Sequence, residues 1–129
     1  MADFSFRKQE RITSRRILSS LFTEGRLIQV HPIRIIYLVS SGGDYPAAVA
    51  VAVPKRVFRK AVDRNLLKRR IREAYRLSKP SFYSVLAGKD LGVNLVILYQ
   101  HHKITDFHTI RDALRRGLEI LLKEISEQG

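Results

Sequence analysis

Apolar positions along this chain alternate between two spacings, one typical of helices and one typical of β-strands. A first helix is predicted to follow a cap at Thr13 or Ser14, to run through Phe22 and to close at Gly25. The runs rich in β-branched and aromatic residues predict strands, and these span Ile33–Val39, Ala47–Val53 and Leu91–Tyr99, with an additional short strand near Leu27–Val30.

Two further helices complete the predicted fold. One begins near Ala61 and is expected to end at Pro80, because the residue before a proline disfavours the helical conformation. Residues 80–90 then form an irregular or partly helical connection, and a last helix follows a cap at Thr105 or Asp106. The order helix–strand–strand–helix–strand–helix predicts an α+β fold, a single-domain α/β sandwich over residues 1–129. In its second strand alanines alternate with valines, so we expect a helix to approach the alanine face closely.

The helix that begins near Ala61 carries a concentration of positive charge. Between Arg64 and Arg76 there are six Lys or Arg residues and a single acid, Glu73, which we expect to pair with Arg69 and Arg70. At 100° per residue the apolar side chains gather on a separate arc, formed by Leu67, Ile71, Ala74 and Tyr75. One face can therefore pack on a core while another presents cations to a polyanion.

The charge of the whole chain favours the same kind of partner. Its 129 residues have a formal net charge of +12 and are 45% apolar, which indicates a folded basic domain rather than a disordered basic tail. Eleven Lys or Arg residues and two acids lie between Lys55 and Lys79, giving +9 in 25 residues. RNA or DNA is therefore the first partner to consider.

Several classes of protein are disfavoured by what the sequence lacks. It has no cysteine, which removes disulfides and thiolate zinc sites, and His101, His102 and His108 have no matched carboxylate, so no metal site is predicted. No apolar run approaches the roughly 18 residues that span a bilayer, and the first ten residues show no apolar secretory signal. We expect a cytoplasmic protein that does not associate with membranes.

The sequence also disfavours catalysis by the polypeptide. Its twelve acids are scattered, whereas a two-metal nuclease needs several convergent carboxylates. Neither a Ser-His-Asp arrangement nor a glycine-rich phosphate loop is present. No catalytic residue is predicted, and the chain is interpreted as a binding protein.

A specific resemblance emerges from Val53 to Arg76, VPKRVFRKAVDRNLLKRRIREAYR. A strand, a lysine-containing loop and a helix of the pattern RNRxKRxxRE occur in this order in the bacterial ribonuclease P protein subunit, which this stretch closely resembles. The matching residues are Lys55, Arg64, Asn65, Lys68, Arg69, Arg72 and Glu73. The order of elements is similar over nearly all of the chain. At the third residue of the motif the family usually has arginine, and this chain has Leu66, which lacks that cation.

The resemblance implies the protein subunit of an endonuclease, a hydrolase in tRNA processing that removes 5′ leaders from precursor tRNA. In that family the catalytic site belongs to an RNA subunit, which is expected to hold most of the Mg²⁺, and the protein binds both this RNA and the leader. The family fold also contains a left-handed βαβ crossover. The RNA-binding residues implied by the motif and its charges are Lys55, Arg56, Arg59, Lys60, Arg64, Asn65, Lys68, Arg69, Arg72 and Arg76.

The resemblance further implies a cleft for the leader between the first helix and the sheet. By position its candidates are Leu18, Phe22 and Tyr37, because stacked aromatic rings suit single-stranded RNA. The family's aromatic residue one turn before Phe22 is Leu18 here. Both Phe22 and Tyr37 have an alternative place in the core, which is the more frequent one for such residues, and Asn65 has an alternative as a helix cap.

Two other functions fit part of the pattern. A ribosomal or other structural RNA-binding protein would share the charge without needing a cleft for a leader. A DNA-binding helix module is the weaker alternative, because no partner helix and turn precede the single basic helix.

Overall fold

A computed structural model describes residues 10–12, 14–41 and 46–128 of the chain. Three helices and four strands follow one another in the order α1 (Arg15–Glu24), β1 (Arg26–Val30), β2 (Ile33–Ser41), β3 (Ala47–Ala52), α2 (Ala61–Gly88), β4 (Leu91–Tyr99) and α3 (Phe107–Gln128). This is the predicted α+β fold, and the additional strand expected near Leu27–Val30 is β1.

The four strands form one mixed sheet in the order β1-β2-β4-β3. β2 pairs antiparallel with both β1 and β4, whereas β3 pairs parallel with β4. Because consecutive parallel strands need a crossover connection, α2 joins β3 to β4 in a βαβ unit. The left hand of this crossover stays a prediction from the resemblance.

The register divides the sheet into two faces with different coverings. Ile35, Ile97 and Val51 share one face, which α2 and α3 cover to form the main core. α3 approaches this face so closely that a Cβ at Gly117 would lie 2.7 Å from Cδ1 of Ile35. The opposite face carries Ile36 and is covered by α1.

The predicted helix caps are present where the structure describes them. The Ser14 hydroxyl accepts a hydrogen bond from the N–H of Ile17 at 3.4 Å, and Gly25 ends α1 with its own N–H bonded to the Leu21 carbonyl. A side chain at Gly25 would collide with that carbonyl. Asp106 accepts from the N–H of Thr109 at 3.1 Å, and this contact lowers the pKa of the Asp106 carboxyl. The alternative first cap, Thr13, lies outside the described residues.

The prediction that Pro80 ends the second helix is wrong. α2 runs through Pro80 to Gly88, so most of the segment predicted to be an irregular or partly helical connection continues the helix. A proline inside a helix removes one backbone hydrogen bond, but Phe82 and Leu86 lie beyond it at helical spacing and are both buried in the core. Burial of these two side chains outweighs the local cost.

The alanines of β3 do not receive a closely packed helix, which corrects a second prediction. Ala48, Ala50 and Ala52 are half-buried and lie on the same side of the sheet as α1. Within the described part of the chain, α1 packs mainly over β2 and β4. Of these alanines, Ala50 lines a groove rather than a helix interface.

Candidate nucleic-acid interface

α2 separates a buried face from a cationic one, as its sequence predicts. Leu67, Ile71, Ala74 and Tyr75 are all fully buried. Arg69 and Arg72 are exposed on another face. The helix is therefore held by its apolar arc, and its cationic face is available to a ligand.

Part of this cationic face forms a groove of about 420 Å³, which we call the basic groove. It is lined by Arg11, Asn65, Arg69, Arg72, Glu73 and Arg76. Five of these six side chains are arginine or asparagine, which can donate hydrogen bonds to phosphate oxygens. The exposed Asn65 adds an uncharged group that suits a base edge or a 2′-hydroxyl.

Arg64 has a structural role that its place in the motif does not reveal. Its guanidinium donates to the carbonyl oxygens of Phe58 and Arg59, at 2.8 and 2.9 Å. Phe58 is itself buried, with its ring 5.7 Å from the ring of Tyr99. These contacts fix the loop before α2, on which four predicted RNA-binding cations are exposed, Lys55, Arg56, Arg59 and Lys60.

Glu73 pairs with a different arginine from those expected. Its carboxylate accepts two hydrogen bonds from Arg76, at 3.1 and 2.5 Å, and these hold the pKa of Glu73 below its usual value. The predicted partner Arg70 instead donates to the carbonyl oxygen of Thr105 at 2.5 Å, on the side of α2 that faces α3. Helix spacing allows a pairing of Glu73 with Arg69, Arg70 or Arg76, and Arg70 is bonded to the loop before α3 instead.

A second groove, of about 330 Å³, lies beside α1, and we call it the α1 groove. It is lined by Arg11, Ile12, Leu18, Val49, Ala50, Val51 and Arg72. Arg11 and Arg72 line both grooves, so the two grooves adjoin each other at these residues. The cationic face of α2 therefore borders a partly apolar groove between α1 and β3.

The three predicted cleft residues have different positions. Leu18 lines the α1 groove. Phe22 lies one helical turn further along α1 and is 56% exposed, so its interpretation as a core residue is wrong. Of the two, only Leu18 lines this groove.

The assignment of Tyr37 to the cleft is wrong. Tyr37 is 1% exposed and pairs in register with Leu95, on the face that α2 and α3 cover. Its hydroxyl donates to Glu124 of α3 at 2.6 Å, and burial followed by this carboxylate raises the pKa of Tyr37. The core interpretation of this residue is therefore confirmed.

Arg11 is the site residue that sequence reasoning missed. It lies in a short segment that follows the free edge of β3, where the N–H of Ile12 donates to the carbonyl oxygen of Val49 at 3.0 Å. No periodic pattern marks a segment of this length. Leu66, where the motif departs from the family, is half-buried on α2.

The described residues hold no group of three His, Cys, Asp or Glu side chains that could bind a metal ion. His31, His101 and His102 instead stack edge to face, with ring centroids 4.7 Å apart in each pair. Burial, more than the neighbouring positive charges, lowers the pKa of His101. No helix in the described ranges is long and apolar enough to cross a membrane.

Comparisons with known proteins agree on one family. The model of the family described as Ribonuclease P matches residues 6–122. A ribonuclease P protein component from Porphyromonas gingivalis (strain ATCC 33277) is 34% identical over 120 residues, which cover 91% of this chain and 86% of the relative. Another from Ralstonia pickettii (strain 12J) is 33% identical over 123 residues, with 92% and 81% covered.

Solved structures have the same fold. The RNase P protein from Thermotoga maritima superposes with a TM-score of 0.68 at 25% identity, covering 86% of this chain and 96% of that one. The RNase P protein from Staphylococcus aureus gives a TM-score of 0.67 at 19% identity, with 87% and 94% covered, and this likeness supports the fold alone.

Proposed function

This chain belongs to the ribonuclease P protein family, and on that premise we propose that it binds the catalytic RNA of ribonuclease P and the 5′ leader of precursor tRNA. It is a protein component of an endoribonuclease complex that matures tRNA. The observation that carries this proposal is that the basic groove and the α1 groove adjoin each other and share Arg11 and Arg72. A protein that only binds the surface of a folded RNA would not need the second groove.

The basic groove and the loop before α2 suit the backbone of a folded RNA partner. Lysine and arginine side chains neutralise phosphates and release counterions, which provides affinity without reading sequence. Arginine can also clamp one phosphate with two parallel hydrogen bonds. We assign to this surface the exposed loop cations together with Asn65, Lys68, Arg69 and Arg72.

The α1 groove suits a single strand, which we take to be the leader. Its floor carries small apolar side chains such as Ala50, so a backbone can approach the sheet closely. The exposed ring of Phe22, one helical turn from Leu18, offers a surface on which a base can stack, and Arg11 and Arg72 supply charge in the groove that Leu18 lines. Stacking with a few cations gives affinity for many leader sequences.

Catalysis is assigned to the RNA subunit. The described residues offer no carboxylate set for a metal ion, so Mg²⁺ is proposed to be held by RNA. Bound there, the metal would supply an activated water and would stabilise the leaving oxygen. The protein contributes binding and charge neutralisation, and we place the complex in the cytoplasm.

Reconstitution tests this division of labour. The purified protein alone should leave a leader-bearing precursor tRNA intact, and it should lower the Mg²⁺ concentration at which the partner RNA cleaves that substrate. The lower Mg²⁺ requirement is expected because protein cations replace part of the counterion screening between the two RNAs. Cleavage at the correct site by protein that has first been treated with ribonuclease would contradict catalysis by RNA.

A further inference from the structure

A buried polar network connects α2 to the segment that precedes α1. The Glu10 carboxylate is 1% exposed and accepts two hydrogen bonds from the Lys79 ammonium, each at 2.9 Å. The Tyr83 hydroxyl donates to the same carboxylate at 2.5 Å and lies 3.1 Å from the hydroxyl of Tyr75. Lys79 is 4% exposed, so both members of the ion pair are removed from water.

This network is one of two anchors on either side of Arg11. Before it, Glu10 is fixed to α2; after it, the N–H of Ile12 is bonded to Val49 on the free edge of β3. The backbone at Arg11 is therefore fixed between α2 and the sheet. That position is where the basic groove meets the α1 groove.

Stability alone is a weak reason for such a network. Two buried charges lose their hydration, and a well-packed apolar pair is often as stable as a buried ion pair or more so. The ion pair adds a defined geometry. Two hydrogen bonds from Lys79 and one from the Tyr83 hydroxyl fix the Glu10 carboxylate in one orientation. The residues that it joins are 69 apart in the sequence, so no local structure could fix them in the same way.

We propose that Glu10, Lys79 and Tyr83 are positioning residues that hold Arg11 to bind an RNA backbone phosphate at the junction of the two grooves. This rests on the proposed function, since it supposes that RNA occupies at least one groove. Arginine suits the role because its planar guanidinium offers two parallel donors to a phosphate. The phosphate belongs either to the partner RNA or to the leader.

The first measurement is the affinity of the wild-type protein for partner RNA alone and for the complex with leader-bearing precursor tRNA, over a range of salt. Absence of binding to either would contradict the proposed function itself. Given wild-type binding, Arg11→Ala should weaken it about tenfold and reduce the slope of log affinity against log salt by about 0.7–0.9. Loss with both ligands assigns the phosphate to the partner RNA, and loss only with the leader-bearing substrate assigns it to the leader.

The Glu10→Gln variant distinguishes a positioning role of Glu10 from the general effect of its negative charge on RNA binding. Removing an acid from an RNA-binding protein should strengthen binding through general electrostatics. If Glu10 positions Arg11, the same change should instead weaken binding about as much as Arg11→Ala, because Lys79 loses its anionic partner and the segment is released. Glu119→Gln, at an exposed acid of α3 that lines neither groove, is the matched control and should leave affinity unchanged or slightly stronger.

The double variant Glu10→Gln/Arg11→Ala tests whether Glu10 affects RNA binding through Arg11. Positioning predicts that it binds no more weakly than Arg11→Ala alone, whereas independent effects would add. Tyr83→Phe keeps all charges and should give a smaller loss that also vanishes in the Arg11→Ala background. All affinities are measured below the unfolding transition of every variant. Additive losses, or an unchanged slope for Arg11→Ala in a protein that binds RNA, would overturn the proposal.

Discussion

The arginines of α2 have different roles although they share one charge. Arg64 is bonded to two carbonyl oxygens of the preceding loop, and Arg70 is bonded to Thr105 next to α3. Arg76 is paired with Glu73, which raises the pKa of the guanidinium and reduces the net charge near the middle of the helix. Arg69 and Arg72 are exposed in the basic groove. Charge identifies the helix, but neighbouring groups decide which cations face a ligand.

The exposed side chain of Phe22 leads to a prediction about binding of the leader. Because its side chain is 56% exposed, Phe22→Ala should change the free energy of unfolding by no more than about 0.5 kcal/mol. Loss of a stacking surface should nevertheless weaken binding of leader-bearing precursor tRNA by about 1–3 kcal/mol. Equilibrium unfolding and substrate titration of the reconstituted complex measure the two effects.

Two controls accompany this variant. Leaderless tRNA should bind the Phe22→Ala complex as it binds wild type. Val85→Ala removes another exposed apolar side chain, far along α2, and should affect neither substrate. Equal weakening of both substrates by Phe22→Ala would remove Phe22 from the leader site.

At the scale of elements, α2 combines two tasks along its 28 residues. Its first half carries the basic groove, and its second half carries Phe82, Leu86 and the Lys79–Tyr83 end of the buried network. A helix of this length spans roughly 42 Å. Continuity through Pro80 therefore places Phe82, Tyr83 and Leu86 on the same helix as the basic groove.

Pro80→Ala should stabilise the protein. The alanine N–H can restore the backbone hydrogen bond that proline lacks, and the steric conflict with the preceding turn disappears, a gain of about 3 kcal/mol. The unfolded chain becomes more flexible, which offsets up to about 1 kcal/mol. A net increase of about 2 kcal/mol in the free energy of unfolding is expected from denaturant titration, with RNA affinity unchanged. A decrease would mean that packing of the proline ring outweighs the restored hydrogen bond.

The elements could be predicted where local signals decide them. β4 has its predicted bounds because an apolar run rich in valine and isoleucine has clear ends. Helices begin at Ser14 and Asp106 and end at Gly25 through contacts within a few residues. Pro80 led to a wrong predicted end for α2, because the buried side chains that stabilise the helix beyond it lie further along the chain.

The candidate site was less predictable than the fold because contacts between residues distant in sequence bring part of it together. The cationic face of α2 follows from helix periodicity alone. Tyr37 was assigned to the wrong face of the sheet, since alternation gives two faces without saying which helix covers each one. Arg11 enters the site through pairing with β3 and the contact of Glu10 with Lys79, which are both long-range.

At the scale of the whole molecule, charge is concentrated rather than spread. Residues between Lys55 and Lys79 carry +9 of the net +12. In the described part of the chain, most of these cations lie on the loop before α2 and on the face of α2 that borders the two grooves. α3 also has arginines, but Arg115 lies near Asp112 and lines a different groove, on the flank of α2 that faces α3.

This distribution predicts that the salt dependence of RNA binding depends on where charge is removed. Arg69→Ala/Arg72→Ala and Arg115→Ala/Arg116→Ala both remove two exposed arginines and lower the net charge equally. If the grooves form the interface, only the first pair should flatten the slope of log affinity against log salt, by about 1.4–1.8 for two lost phosphate contacts. Titration of partner RNA at several salt concentrations measures both slopes.

The comparison distinguishes a local interface from attraction by total charge. Long-range attraction is screened beyond about 8–10 Å at physiological salt, so it cannot distinguish sharply between two faces of one small domain once binding is tight. Equal flattening by the two pairs would therefore indicate that RNA contacts both flanks of α2, and the interface would have to include α3. An effect confined to Arg69 and Arg72 would restrict the RNA to the side of α2 on which Arg11 joins the two grooves.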